Sequence, residues 1–489
     1  SDVDCILLTH AHIDHSGLIP LMYVNGFRGQ VYSTSATAQL CEIMLRDSAH
    51  IQMFEAEWRN RKAARSGGKL KEFVPLYDMD AAVNVCKQFV GCEYDRVYDI
   101  AEGIKIRFTD VGHLLGSASI EVWATEKTEN GDVTEKIVFS GDIGNINKPI
   151  IKDPKHVRDA DYVVMESTYG NRSHGGTPNY VEDLTDIFKR TFERGGNVVI
   201  PSFAVGRTQE LLYIIRKIKE DNLVGRDFDV YMDSPLAIEA TNIFIKNVES
   251  CFDDDAVELV RKGINPLSFP GLKYATTGDE SKQINFDPNP KVIISSSGMC
   301  EAGRIRHHLK HNLWRPECTI VFVGYQAVGT TGRIIVDGAE EIKLFGEPIQ
   351  IKAEIVQLKG SSGHADKDGL LCWINAFDTK PKKVFVVHGE DSVCDEFTEC
   401  LKEEYGYDAM APYTGGSYDL IADRVISEGV KERKTRRTTS TQRGKTVFDR
   451  LVAAGKRLMT VITHNEGGTN KDLAKFTDQI NALCDKWDR

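Results

Sequence analysis

Apolar residues fall along this chain in two alternating rhythms. Short runs of β-branched and aromatic residues read as strands, and apolar residues three and four apart read as helices. In the first third, Cys5–Leu8, Ile104–Phe108, Ile120–Ala124, Lys136–Phe139 and Tyr162–Met165 read as strands, with helices over Ala36–Met44 and Met79–Val90. The stretch Asn171–Pro178, rich in Gly, Asn and Ser, reads as a loop. A second α/β series follows. Asn197–Pro201, Phe228–Met232, Lys291–Ser295 and Thr319–Val323 are strand-like, and Thr208–Lys219 is an amphipathic helix. Glu354–Leu358 and Lys383–Val387 return to the strand pattern. Lys431–Lys445 is basic and poor in apolar residues, a linker or exposed arm, and Leu473, Phe476, Ile480, Leu483 and Trp487 recur at helical spacing.

At 489 residues the chain is too long for one ordinary core. With 41% hydrophobic and 27% charged residues it reads as globular. No apolar run approaches the ~20 residues of a membrane span, so no membrane is expected. The 11 cysteines are odd in number, scattered and without a Cys-x-x-Cys pair. That argues against a disulfide scaffold and for a reducing, cytoplasmic setting. The net charge of −11 weighs against a wholly basic nucleic-acid binder, but a local basic groove can sit on an acidic body.

The chemistry concentrates in Thr9-His10-Ala11-His12-Ile13-Asp14-His15-Ser16-Gly17, directly after the first strand. Three imidazoles and a carboxylate within six residues form a donor set for a borderline metal such as zinc. Further candidates follow other strand-like runs: His113, Asp142, Glu166, His364 and His388. In α/β folds such strand ends are where sites assemble. His307, His308 and His311 stand apart. Arg304, Arg306, Lys310 and Arg315 surround them, and cations repel a metal, so this segment reads as a solvated or RNA-facing basic helix.

Taken in order, His10-x-His12-x-Asp14-His15, His113, Ser-Gly-Asp142, Glu166-Ser-Thr-Tyr-Gly, Ser-Gly-His364-Ala and Val-His388-Gly resemble the β-CASP branch of the metallo-β-lactamase superfamily. The resemblance covers about residues 1–425. It implies an α/β fold: a metallo-β-lactamase αββα sandwich over 1–168 and 360–425, with an α/β β-CASP cap inserted at 169–359. A basic linker and C-terminal amphipathic helices would occupy 426–489. Family members carry further strands and an aspartate ahead of the His-rich motif. The expectation is therefore that N-terminal strands are missing here, with poor folding or weakened metal binding as a result.

The resemblance also implies roles. His10, His12 and His113 would bind one Zn2+, and Asp14, His15 and His388 a second. Asp142 would bridge both, giving two zinc ions per chain with a water or hydroxide between them as nucleophile. His364 would be the general acid, with Glu166 on its other ring nitrogen, so Asp14, His364 and Glu166 are the candidate catalytic side chains. RNA-acting members carry His at the position of His388, where DNA-repair members carry Val. The implied activity is a zinc-dependent ribonuclease, endonucleolytic or 5′-to-3′ exonucleolytic, acting on single-stranded RNA, with a homodimer as a further expectation. Three cap segments look like family motifs: Pro201–Leu211, Ser296–Arg304 and Gly324–Arg333. Arg207, Ser297 and Arg333 are the candidate phosphate contacts, because Gly-rich loops and helix N-termini can hold phosphate. The alternatives are a non-catalytic or RNA-binding scaffold of the same family, and a hydrolase of this fold acting on another substrate.

Overall fold

A computed structural model describes residues 2–65, 73–129, 131–173, 175, 179–358, 362–431 and, towards the C-terminus, 455, 458–459, 461–463 and 470–487. Strands β1 (Cys5–Leu7), β2 (Gln30–Thr34) and β3 (Phe89–Cys92) form a parallel sheet in that order. A 31-residue helix, Ser35–Arg65, leaves the end of β2. It is far longer than the Ala36–Met44 that periodicity predicts. Its second half mixes charged residues with the exposed apolar side chains of Ile51, Phe54 and Trp58, so no buried face extends the periodicity of the first half.

The predicted helix Met79–Val90 is in fact shorter, Met79–Cys86, and its last residues belong to β3. The aromatic and β-branched pair Phe89-Val90 fits the pleated sheet, where it registers with Val31 and Tyr32 of β2.

β4 (Val97–Ala101), β5 (Ile104–Asp110), β6 (Ala118–Thr128) and β7 (Gly131–Phe139) run as an antiparallel meander, and β8 (Tyr162–Glu166) joins β7 in parallel. The chain then enters a separate parallel sheet. Its strands are β9 (Val198–Pro201), β10 (Asp229–Asp233), β11 (Leu272–Tyr274), β12 (Lys291–Ser295), β13 (Thr319–Val323) and, after the hairpin β14–β15 (Glu341–Leu344, Glu347–Gln350), β16 (Glu354–Leu358). The spatial order is β11-β10-β12-β9-β13-β16. Buried strands such as Val198–Pro201 and Thr319–Val323 are covered on both faces, as their unbroken apolar runs require.

β17 (Lys383–Val387) then returns to pair with β8, and β18 (Ala409–Met410) adds the far edge. The resulting seven-stranded sheet has the order β18-β17-β8-β7-β6-β5-β4. These sheets form a mixed α/β architecture with two main sheets, consistent with the sandwich core and inserted cap that the resemblance implies.

Core and cap share apolar contacts. One buried cluster runs from Val31 and Leu40 through Leu114 and Ile150 to Leu211 and Phe244. Trp373 and Phe397 belong to a second cluster, under β8 and β17. No helix among the described residues is long and apolar enough to cross a membrane.

Residues 429–489 form a unit of their own. Within it, the helix Asn470–Trp487 carries the predicted C-terminal periodicity. Most of the basic stretch Lys431–Lys445 lies outside the described residues, as do 174 and 176–178 of the predicted loop Asn171–Pro178.

Candidate active site

The polar cluster forms where several strands end. β1 stops at Leu7, and the chain turns through His10 and His12 into the one-turn helix Ile13–Ser16. Ser16 ties the turn, its Oγ donating to the carbonyls of Ala11 (2.9 Å) and His12 (3.1 Å). His113 follows β5, Asp142 follows β7, Glu166 ends β8 and His388 follows β17. Asp142 is preceded by Gly141 at φ +59°, where an added Cβ would lie 2.8 Å from the Ala118 carbonyl. Only glycine makes that turn without displacing β6. His388 itself adopts φ +52°.

Two groups of donors meet at Asp142, which is 2% exposed. On one side, its Oδ2 lies 3.3 Å from His10 Nε2 and 3.6 Å from His113 Nε2. His12 Nδ1 is 3.1 Å from each of those two ring nitrogens. On the other side, Oδ1 lies 3.4 Å from His15 Nε2 and 3.6 Å from His388 Nδ1. His15 Nε2 and His388 Nε2 are 3.2 Å apart, and each is 3.7 Å from Asp14 Oδ2.

Imidazole nitrogens packed this closely have too few protons between them to hydrogen-bond one another throughout. Asp142 Oδ1 is buried with no hydrogen-bond partner, which would cost about 1–3 kcal/mol or more if nothing satisfied it. A tetrahedral ion with bonds of about 2.0 Å needs donors about 3.3 Å apart, and the observed spacings bracket that value. The donor set therefore fits a cation on each side of Asp142.

Neighbours orient three of the rings. His113 Nδ1 donates to the Gly363 carbonyl (3.0 Å), His10 Nδ1 lies 3.2 Å from Thr9 Oγ1, and His388 Nδ1 lies 3.1 Å from Thr168 Oγ1. The Gly363 carbonyl can only accept, so it fixes the His113 tautomer with Nε2 directed into the cluster, the way outer partners orient metal-binding imidazoles. Burial lowers His10 and His113, and burial together with the charge of His10 lowers His12 to about 3. These three rings are neutral near pH 7, with lone pairs available. Burial pushes Asp142 up, but the neighbouring His10 and His15 rings more than offset it, and its carboxyl is held below the usual range. His388 is raised to about 9, first by the neighbouring Asp14 carboxylate, which the imidazole in turn lowers.

A third group overlaps the first two. His364 Nε2 lies 3.9 Å from Asp142 Oδ2, and His364 Nδ1 is 3.1 Å from both oxygens of Glu166. Glu166 is buried, and it also accepts from the backbone N–H of Ile143 (2.6 Å) and of Thr168 (3.2 Å). Burial alone would lower His364, but the charge and hydrogen bond of Glu166 outweigh it and the imidazole is raised.

The cap's loops close one side. Arg207 opens the helix Arg207–Glu220 and bonds Glu210 at 2.5 Å. Arg333 is paired with Asp337 at 2.8 Å. Ser297 lies in the loop after β12, with Oγ accepting from Ala302 N–H.

The expectation of a solvated basic helix at His307–His311 needs correction at its centre. His308 is fully buried, with Nε2 2.6 Å from Asp233 Oδ2 and Nδ1 3.0 Å from Asn285 Oδ1. Asp233 ends β10 beneath this helix, so the imidazole faces a carboxylate inside the cap rather than solvent. Sequence reasoning missed two further polar groups, Lys148 and Glu210, which join core and cap 3.1 Å apart. Neither carries a motif, and only the fold brings them together.

Comparison with known proteins agrees with this layout. Residues 208–335 match the family model of the Beta-Casp domain, and 348–412 match that of the Zn-dependent metallo-hydrolase RNA specificity domain. The chain is 34% identical over 390 residues to a ribonuclease of Thermus thermophilus, a match covering 80% of this chain and 82% of that protein. It is 32% identical over 421 residues to the transcription termination factor FttA of Methanosarcina mazei, covering 84% of this chain and 62% of that one. An RNase J-like protein of Methanocaldococcus jannaschii is 31% identical over 392 residues, with 79% and 82% covered. The chain therefore belongs to the β-CASP family of RNA-processing proteins within the metallo-β-lactamase superfamily.

Proposed function

We propose that this chain is a two-zinc ribonuclease that hydrolyses phosphodiester bonds in single-stranded RNA. The observation that carries the reading is the convergence on Asp142 of two donor groups and a carboxylate-held imidazole, each with its ligand atoms within 4.8 Å of one another. His10, His12 and His113 would hold one zinc and Asp14, His15 and His388 the other, with one Asp142 oxygen turned to each. Zinc bound there supplies Lewis acidity and a nucleophile at neutral pH.

The remaining work falls to the chain's own groups. Hydrolysis leaves a ribose oxygen that needs a proton. His364 is a candidate donor, because Glu166 fixes its Nδ1 and leaves Nε2 facing the cluster, while the raised pKa keeps a proton on the ring. The Ile143 and Thr168 N–H groups hold the Glu166 carboxylate in turn, so the ring cannot easily rotate. In this reading the core comprises 1–168 and 360–425 and the cap 169–359. Arg207, Ser297 and Arg333 are proposed phosphate contacts, Arg207 and Arg333 after exchanging their present carboxylate partners for substrate.

The test combines metal content with cleavage of a 5′-labelled single-stranded RNA. Wild type is expected to hold zinc on both sides of Asp142 and to cut. Asp142→Ala should lose metal and activity together. His364→Ala should keep its metal and lose roughly 10²–10⁴-fold in rate. A metal-loaded wild type that leaves RNA intact, or a His364→Ala variant that cuts at the wild-type rate, defeats the proposal.

A further inference from the structure

The three glycine-rich loops of the cap leave the same ends of adjacent strands β12, β9 and β13. In parallel α/β sheets, ligands bind beyond these carboxyl ends. The first loop lies against the proposed catalytic centre, since Gly206 packs on Leu114, next to His113, with its Cβ position 3.1 Å from Leu114 Cδ1.

Within that loop Phe203 is 46% exposed, although its backbone is firmly held. Thr208 bonds the Phe203 carbonyl through both its hydroxyl (2.7 Å) and its N–H (3.3 Å). Ser202 N–H donates to the Ser295 carbonyl at 3.0 Å. The Phe203 ring rests on the backbone of Gly298 in the neighbouring loop, where an added Cβ would sit 3.0 Å from the ring.

The third loop is tied to the second. The buried Gln326 side chain donates to the Gly298 carbonyl (3.1 Å), and Gly332 N–H donates to the Met299 carbonyl (3.0 Å). That loop presents Tyr325, 51% exposed. A half-exposed ring on a rigid backbone loses apolar burial and gains nothing for the fold. It is, however, a ready π-face for a flat ligand.

We propose that Phe203 is a nucleobase-stacking platform beside the cleavage site, with Tyr325 of the adjoining loop as its second ring. The proposal rests on the ribonuclease reading and adds how the substrate is held. Stacking is tolerant of sequence because every base has a π-face. It also suits a chain of net charge −11, since it does not depend on phosphate attraction and should survive added salt.

The test measures binding of a dye-labelled single-stranded RNA to the zinc-loaded full chain, carrying His364→Ala to prevent cutting. Phe203→Leu should weaken binding about tenfold, the effect of losing one stacked base, at the same salt slope and with an unchanged melting temperature. Phe203→Tyr should restore it. A series of RNAs with one base removed at successive positions should contain one oligonucleotide that costs the parent about tenfold and costs Phe203→Leu nothing. Equal binding by the parent and Phe203→Leu overturns the proposal, as does an undiminished loss across the whole abasic series. Failure of the parent to bind RNA at all overturns the ribonuclease reading as well, which separates the two.

Discussion

The junction between core and cap makes a quantitative prediction at Glu210. Its side chain is 10% exposed, and it holds Lys148 Nζ at 3.1 Å on one oxygen and Arg207 at 2.5 Å on the other. Lys148 also donates to the backbone carbonyl of His113, again at 3.1 Å. Burial raises the Glu210 pKa, but Arg207 and Lys148 more than offset this and the carboxyl is lowered overall. It is ionised in the folded protein at neutral pH.

Removing one partner from a buried ion pair costs about 3–5 kcal/mol, because the charges left behind are neither paired nor hydrated. Glu210→Gln keeps the shape and one acceptor oxygen, so about 2–3 kcal/mol is expected. Lys148→Met removes one of the two cations, and the double variant should then cost less than the sum of the singles by at least ~1 kcal/mol. The linkage has a definite sign. A lowered folded pKa means the contribution is present above the unfolded carboxyl value of about 4.3 and fades as pH falls through the folded value. The gap between wild type and Glu210→Gln should therefore close below about pH 4.

Urea denaturation of the four proteins across pH gives the cycle. Chelator competition reports whether freeing the His113 carbonyl from Lys148 also loosens zinc. A coupling energy within about 0.5 kcal/mol of zero, or a gap that stays constant down to pH 3, would refute the claim that these charges join cap to core.

Two further predictions concern buried titratable groups. Asp110 is 4% exposed, and burial raises its carboxyl to about 7. Against an unfolded value of about 3.9, the cost of ionising it grows from about pH 4 and levels off above pH 7, reaching roughly 4 kcal/mol at most. Asp110→Asn keeps an acceptor for Gly112 N–H, so melting curves of the metal-free proteins should show it gaining on wild type across that window. A gain independent of pH would contradict the assignment. In the cap, His308→Leu strips one hydrogen bond from the fully buried Asp233, leaving Arg304 and Ser281. The expected loss is about 3 kcal/mol in chemical denaturation, and a loss below about 1 kcal/mol would show that the imidazole is dispensable there.

How much of this was legible in the sequence depended on the range of the interactions involved. Lys291–Ser295, Thr319–Val323, Glu354–Leu358 and Lys383–Val387 are strands with the predicted limits, because each carries a short run of β-branched or aromatic residues at its centre. The turn His10–His15 was visible because it crowds polar donors where packing has no use for them. The helix running to Arg65 was not, since its outer half mixes charged residues with exposed Phe54 and Trp58, which mark no buried face. Phe89-Val90 was misread as helix because pairing with β2, a distant element, decides its conformation. His308 looked solvated because its neighbours in sequence are basic, whereas its partner Asp233 lies 75 residues away. Phe203 gave no signal at all, since exposure is a property of the fold.

The same long-range dependence explains why the candidate site can be both rigid and demanding. Its donors come from segments as far apart as His15 and His388, 373 residues along the chain. The return of the chain after β16 is tied down by Ala365 N–H on the Ile143 carbonyl (2.7 Å) and by His113 Nδ1 on the Gly363 carbonyl. These bonds place His364 against Glu166 and orient His113 in one stroke. His364 thus meets Glu166 only once the chain has passed through the second parallel sheet and come back. Zinc bound at such a cluster would stabilise only the folded state, by an amount set by its affinity and free concentration, which would link metal retention to closure of the C-terminal return. The cap, inserted between the two halves of the site, is then positioned by the same contacts that build the chemistry. That fixes the first cap loop, which carries Phe203, against Leu114, next to His113 of the cluster.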